Sequence, residues 1–331
     1  MQASSDLSLT RGWANLAGAI ALALWAAEST LVVYLAAIPP LQLIAIVGGI
    51  GFLATLVRVA ITHKWHTLKQ PPKIWFVGTL SFTLIQACYA SAFQYAPPAG
   101  VDMIYYLWPI EVIVLSDMML GERFSLCHML AALIAMVGMV LLFVDAAWSP
   151  TIIWEPSHLI GYGLAFVASL AWTAYTLFTR RYSKLSSSMI GGYMGFSALA
   201  TSLGHFMFET TVVPTVDQWL LMVFYGISLV GLAYLLWDYG LKKGSYQMLN
   251  VLSYTVPMAA LGILIVAELA APTAYLLLAC SCITLAALFT VAAEGSKVYK
   301  KRKQSAQSEN YSGTPQQDPM PVMDGIMMES A

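Results

Sequence analysis

YYLWPIEVIVLSDMMLGERFS (Tyr105–Ser125) returns, altered but legible, as LSYTVPMAALGILIVAELAAPT (Leu252–Thr273). A second pair, IALALWAAES (Ile20–Ser29) and VASLAWTAYT (Val167–Thr176), repeats in the same order. Trp25 falls on Trp172 at an offset of 147 residues, and Pro109 on Pro257 at an offset of 148. The apolar runs that hold these four strings are about twice the length of the alternating, roughly ten-residue strands of a membrane barrel, and they do not alternate. The chain therefore reads as a duplicated, apolar helical unit.

Composition says what medium surrounds it. Of 331 residues, 59% are hydrophobic and 10% charged, with a mean hydropathy of +0.71. An ordinary soluble domain carries roughly 25% charged residues, so too little polar surface is present to cover a water-soluble fold. A soluble enzyme and a disordered chain are both excluded, and an integral membrane protein remains. Cys88, Cys127, Cys280 and Cys282 all lie in apolar runs and read as small hydrophobes rather than a disulfide framework.

Ten apolar segments suit spanning helices of about 20 residues: 14–36, 40–61, 74–95, 101–120, 126–144, 159–180, 187–208, 218–239, 246–268 and 272–293. With ten spans, all sixteen Lys and Arg residues fall at the N-terminus, in even-to-odd loops or in the C-terminal tail. The opposite side, including the long Asp145–His158 connection, has none. The positive-inside rule then places both termini in the cytoplasm. The first apolar run is too long for a cleavable signal and lacks a small-residue cleavage site, so it reads as a span. The expected organisation is a short cytoplasmic N-terminus (1–13), a five-helix repeat (14–144), a second five-helix repeat (159–293) and a Ser-, Gln- and Pro-rich disordered cytoplasmic tail (294–331). An odd number of spans per repeat turns the second copy upside down, the architecture of secondary transporters with a midplane site between the halves.

LGERFSLCHMLAALIAMVGMVLLF (Leu120–Phe143), with its weaker copy AELAAPTAYLLLACSCITLAALF (Ala267–Phe289), resembles the helix-five signature of the drug/metabolite transporter superfamily, whose unit is the EamA-type repeat. YLWP (Tyr106–Pro109), AWTAYTLFTRRYS (Ala171–Ser183) and AYLLWDYGLKKG (Ala233–Gly244) look most like its bacterial aromatic amino-acid exporter branch. The resemblance covers the chain apart from the tail and implies an exporter of aromatic amino acids or related metabolites. Glu111, two residues after Pro109, departs from the pattern, which has a neutral residue there.

Tryptophan favours the interfacial belts, and Trp13, Trp65, Trp75, Trp148, Trp154, Trp219 and Trp237 fit there. Trp25, Trp108 and Trp172 instead fall near mid-span, where an aromatic-lined cavity and plain helix packing are both open readings. Tyr89 and Tyr106 point to the same cavity. Gln86, Asn250 and Tyr254 are placed to hydrogen-bond a substrate carboxylate. Glu28 and Glu111 are the deepest carboxylates, each costing about 2.5–3.5 kcal/mol at a helix centre. Each can hold an ammonium, carry a coupling proton or serve as a structural carboxyl. Glu28 lies three residues after Trp25, and Tyr105, Trp108 and Glu111 form a stripe at the same spacing. Asp102, Asp117, Asp238 and Glu268, nearer helix ends, take the bland reading. Pro109 and Pro257, mid-helix, are hinge candidates.

No zinc, P-loop or nucleophile-elbow motif occurs, so neither catalysis nor a cofactor nor a metal is expected. The expected partners are a small-molecule substrate and the lipid bilayer, with no nucleic acid, and the working expectation is a monomer. The competing readings are a transporter of a neutral amino acid, cationic drug or purine and, more remotely, a membrane-embedded enzyme or receptor.

Overall fold

The computed structural model describes residues 2–119, 130–131, 133–138, 140–141, 155–182, 184–244, 249, 252–253, 255–286 and 288–289. All lie in one compact unit, 1–292. The expected tail, the Asp145–His158 loop up to residue 154, about half of the expected fifth span, Cys127, Asn250 and Tyr254 fall outside the described residues.

Every described element is helical: α1 (Gln2–Trp25), α2 (Glu28–Tyr34), α3 (Pro40–Ile61), α4 (Pro72–Ala92), α5 (Pro98–Tyr105), α6 (Trp108–Met119), α7 (Ser157–Arg181), α8 (Ser188–Phe208), α9 (Val216–Phe224), α10 (Tyr234–Lys243) and α11 (Val256–Val266). A π-helix, Tyr225–Ala233, joins α9 to α10, and a further apolar helix, α12, runs Ala274–Ala286. Among the described residues, five helical stretches are long and apolar enough to cross a membrane: Thr10–Tyr34, Pro40–Ile61, Pro72–Ala92, Ser157–Thr179 and Val216–Lys243.

Proline marks where helices begin. Pro39–Pro40, Pro71–Pro72 and Pro97–Pro98 start α3, α4 and α5, because proline lacks an N–H that the first turn does not need and has φ preset for the helix. The same chemistry corrects the expected mid-helix prolines. Pro109 and Pro257 are the second residues of α6 and α11, so each opens a helix rather than kinking one. Before Pro109 the chain turns at Tyr106–Leu107, splitting the expected fourth span into α5 and α6. A proline cannot donate to, and its ring crowds, the carbonyl four residues earlier. The expected first span also breaks, at Ala26–Ala27, where Ala27 N–H bonds back only to Leu24 O at 3.1 Å. The continuous faces expected for Trp25 with Glu28, and for Tyr105 with Trp108 and Glu111, therefore do not exist as such.

The most extensive contacts are α3 against α8, α4 against α7 and α1 against α10. Each joins a helix from before residue 144 to one from after residue 157. Small residues permit the approach, as expected where apolar surface alone gives no preference. A Cβ on Gly226 would lie 2.7 Å from Ile50 Cβ and 2.8 Å from Val47 O. One on Gly51 would lie 2.9 Å from Val230 Cγ1. The π-helix thus sits hard against α3.

At the end of this bundle opposite the basic loops, the α8 C-terminus is tied to the α3 N-terminus. Leu41 and Gln42 N–H donate to Glu209 Oε1 and Oε2 at 2.9 and 3.1 Å. These donors are orphans of the first helical turn. His205 Nδ1 lies 2.8 Å from Glu209 Oε2, and Gln42 exchanges two further hydrogen bonds with the Val212 backbone.

Candidate functional site

The two helix breaks face one cavity. The break between α1 and α2 brings Trp25 and Glu28 to it; the break between α5 and α6 brings Tyr105, Tyr106 and Trp108. Trp172 of α7, Tyr234 of α10, Leu22 of α1, Ser253, and Val256 at the start of α11 complete the lining. Breaking a helix is what lets neighbouring residues turn towards the same space, since in a continuous helix residues 105, 106 and 108 would point in different directions.

Aromatic rings make most of the wall. Trp172 lies edge-on to Trp25, Trp108 and Tyr234 at centroid distances of 5.4, 5.8 and 5.7 Å. Trp25 also meets Tyr234 at 5.0 Å and Trp237 at 5.7 Å. Such edge-to-face geometry suits the ring quadrupoles. Trp25 Nε1–H donates to Leu229 O of the π-helix at 3.3 Å. The Trp172 indole N–H is buried and has no partner among the described residues.

The polar groups divide. Glu28, 9% exposed, accepts from the Tyr225 hydroxyl at 2.7 Å and faces the cavity. Glu111 does not line it: Ser169 and Thr173 of α7 donate to its two oxygens at 2.9 Å each. Both lone-pair faces of that carboxylate are thereby engaged in tying α6 to α7. Gln86 donates to the Tyr234 hydroxyl at 3.1 Å and meets the cavity through that ring. Tyr89 sits one layer behind, its ring 4.5 Å from that of Tyr105 and its hydroxyl donating to Asp102 Oδ1 at 2.6 Å. Among the twelve candidate residues, then, Trp25, Glu28, Tyr106, Trp108 and Trp172 come together around the cavity. Gln86 and Tyr89 lie behind it, Glu111 lies to one side, and Pro109 and Pro257 start the adjoining helices. Asn250 and Tyr254 lie outside the described residues.

Three readings need correction. Trp237 is not a belt tryptophan: it is 6% exposed and packs on Trp25. Asp102 is not near a hydrated helix end, because the span it belongs to is broken and α5 is buried; its exposure is 0%. Asp238, likewise, is 5% exposed and accepts from Lys242 Nζ at 2.6 Å and from the Ser187 hydroxyl. Tyr234 was missed. It lines both the central cavity and a second one bounded by Tyr175, Thr176, Trp237 and Asp238. The spacing of Tyr234 three residues before Trp237 was the available signal.

Comparison with known proteins identifies relatives of this chain. A relative 32% identical over 280 residues, spanning 83% of this chain and 96% of its own length, is the aromatic amino acid exporter YddG of Ancylobacter novellus. An uncharacterised transporter of Synechocystis is 26% identical over 221 residues, 60% of each chain. A biotin transporter of Salmonella typhimurium is 20% identical over 216 residues, 63% of this chain and 70% of that one. A crystal structure 30% identical in sequence superposes with a TM-score of 0.67 over 84% of this chain and 96% of the other. The profile of the EamA-like transporter family matches twice, over residues 12–144 and 159–292. A duplicated unit, an all-helical apolar bundle and a central cavity walled by residues from both copies lead to one conclusion: the chain belongs to the EamA-like transporter family.

Proposed function

We propose that this transporter exports aromatic amino acids or closely related aromatic metabolites across a bacterial inner membrane by alternating access. The observation that carries the proposal is the ring of Trp25, Trp108 and Trp172 around a cavity that also holds Glu28. Aromatic walls suit an aromatic side chain, and a carboxylate beside them suits the ammonium common to amino acids. The name of the relative from Ancylobacter novellus supports the same substrate class.

In this reading ten spans form two inverted five-helix halves, 14–144 and 159–293, with both termini and the tail cytoplasmic and the protein monomeric. The halves rock about the helix starts at Pro109 and Pro257. Gln86, Asn250, Tyr254 and Tyr106 supply polar contacts to the substrate, directly or through a neighbouring hydroxyl, and Tyr89 backs the cavity wall through the Tyr105 ring. Glu111 acts by holding α6 on α7.

The test is counterflow in proteoliposomes across the twenty amino acids. Phenylalanine, tyrosine or tryptophan should exchange fastest, and Trp108→Ala and Trp172→Ala should slow them several-fold. Exchange of small neutral amino acids or lipophilic cations in preference to aromatic ones would refute the substrate class. Glu28 makes the lipophilic cation the most informative competitor.

A further inference from the structure

Asp102 is a carboxyl that the aromatic cavity does not use. It lies on α5, is 0% exposed, and has one hydrogen bond, accepted by Oδ1 from the Tyr89 hydroxyl at 2.6 Å. Its other oxygen, Oδ2, has no partner among the described residues. The Ser29 hydroxyl, 1% exposed, faces this carboxyl without a well-formed hydrogen bond among the described residues, and the Thr30 hydroxyl on the next residue is likewise buried and without a described partner. Ser29 and Thr30 belong to α2, immediately after the break that places Glu28 in the cavity.

Among the described residues no cation pairs with this group. The described ion pairs, His205–Glu209 and Lys242–Asp238, are elsewhere. Among the described residues, the titratable groups around Asp102 are Tyr89 from α4, Glu28 from α2, Cys280 from α12, Tyr162 of α7, which packs on Gly100, and Tyr105 and Tyr106 from its own segment. The part of α11 packed on α5 contributes none. All of these are neutral or acidic. An ionised carboxylate without a counter-charge and with an unfilled oxygen is costly in such a place. A protonated one can donate from Oδ2 to Ser29 Oγ and satisfy both orphan atoms.

We propose that Asp102 is a proton-binding site, separate from the substrate cavity, occupied while α2 and α5 are packed together. When the two helix breaks move and admit water, the O–H bond at Oδ2 breaks and the proton passes to that water. The carboxylate left behind keeps the Tyr89 hydrogen bond. That the proton accompanies a solute rests on the transporter reading above; that Asp102 holds one does not.

The full-length protein in lipid vesicles near neutral pH tests this by infrared difference spectroscopy. Wild type minus Asp102→Asn should show the carbonyl stretch of a protonated carboxyl, downshifted in D2O. Tyr89→Phe should shift that band rather than remove it, and Glu28→Gln should leave it in place. Absence of the band, or its loss on adding sodium chloride, would overturn the proposal, the second outcome assigning the site to sodium. In vesicles loaded with a pH-sensitive dye, a phenylalanine gradient should change the internal pH with wild type and not with Asp102→Asn. Persistence of that signal in the variant would also overturn it. Presence of the band without any phenylalanine exchange in wild type would refute the substrate reading and leave the proton site standing.

Discussion

Trp25 and Trp172 occupy matching places in the repeat and share a wall of the cavity, but only one indole N–H is engaged. Trp25 Nε1–H donates to Leu229 O at 3.3 Å, whereas the Trp172 N–H is buried without a described partner. Phenylalanine at either position keeps an aromatic face and loses similar area, so that cost is common to both variants. The difference isolates the N–H. Trp25→Phe removes a long hydrogen bond and strands a carbonyl, which costs about 1 kcal/mol. Trp172→Phe removes an unsatisfied donor and relieves a desolvation cost of about 1 kcal/mol. Trp172→Phe should therefore be the more stable variant by about 2 kcal/mol, or about 4 °C in a thermal melt in detergent at the low end of the size scaling. Substrate binding should order them the other way. A free N–H beside the cavity is available to a substrate carboxylate, and a hydrogen bond to a charged group contributes about 1.5–3 kcal/mol. Trp172→Phe should then weaken phenylalanine binding about tenfold or more, at 1.4 kcal/mol per decade. Scintillation proximity with labelled phenylalanine reads this directly. Equal melting temperatures would mean that the Trp172 N–H is satisfied in the folded protein. Unchanged binding would mean that it meets no substrate.

Glu209→Gln should lower stability by about 1–2 kcal/mol, because it removes the negative charge from the orphan N–H groups of α3; an unchanged melt would show that this clasp contributes nothing. Gly226→Ala places a Cβ 2.8 Å from Val47 O, a backbone atom that cannot rotate away, and should cost about 1–3 kcal/mol, read as a loss of folded protein on size exclusion. A cysteine introduced in the Asp145–His158 loop should label with an impermeant thiol reagent applied outside cells, and one beside Lys69 should not. The reverse pattern would refute the ten-span orientation.

Where several of the long apolar helices lie was legible in the sequence, because a helix meant for the membrane is apolar along its whole length. The expected 40–61 coincides with α3, and 187–208 begins one residue before α8. The duplication was legible too, since Trp25 with Trp172 and Pro109 with Pro257 survive at nearly one offset. The depth of those tryptophans pointed to the cavity for the same reason: an amphipathic ring away from the interface needs a cause. What periodicity could not show was where helices stop. Ala26–Ala27 carries no breaker, so nothing in its composition announces that Glu28 starts a new helix. Pro109 and Pro257 did announce a break but read equally as kinks, because the choice depends on whether neighbours satisfy the freed carbonyls. The carboxylates were harder still. Glu111, Glu28 and Asp102 are chemically alike in the sequence, yet one is held by Ser169 and Thr173, one faces the cavity beside Tyr225, and one is sealed behind Tyr89. Those partners lie as many as 197 residues away along the chain. Apolar length determines that a segment enters the membrane, but only the packing of distant helices decides which side chains find a hydrogen-bond partner, which face a cavity and which are left with an unfilled oxygen.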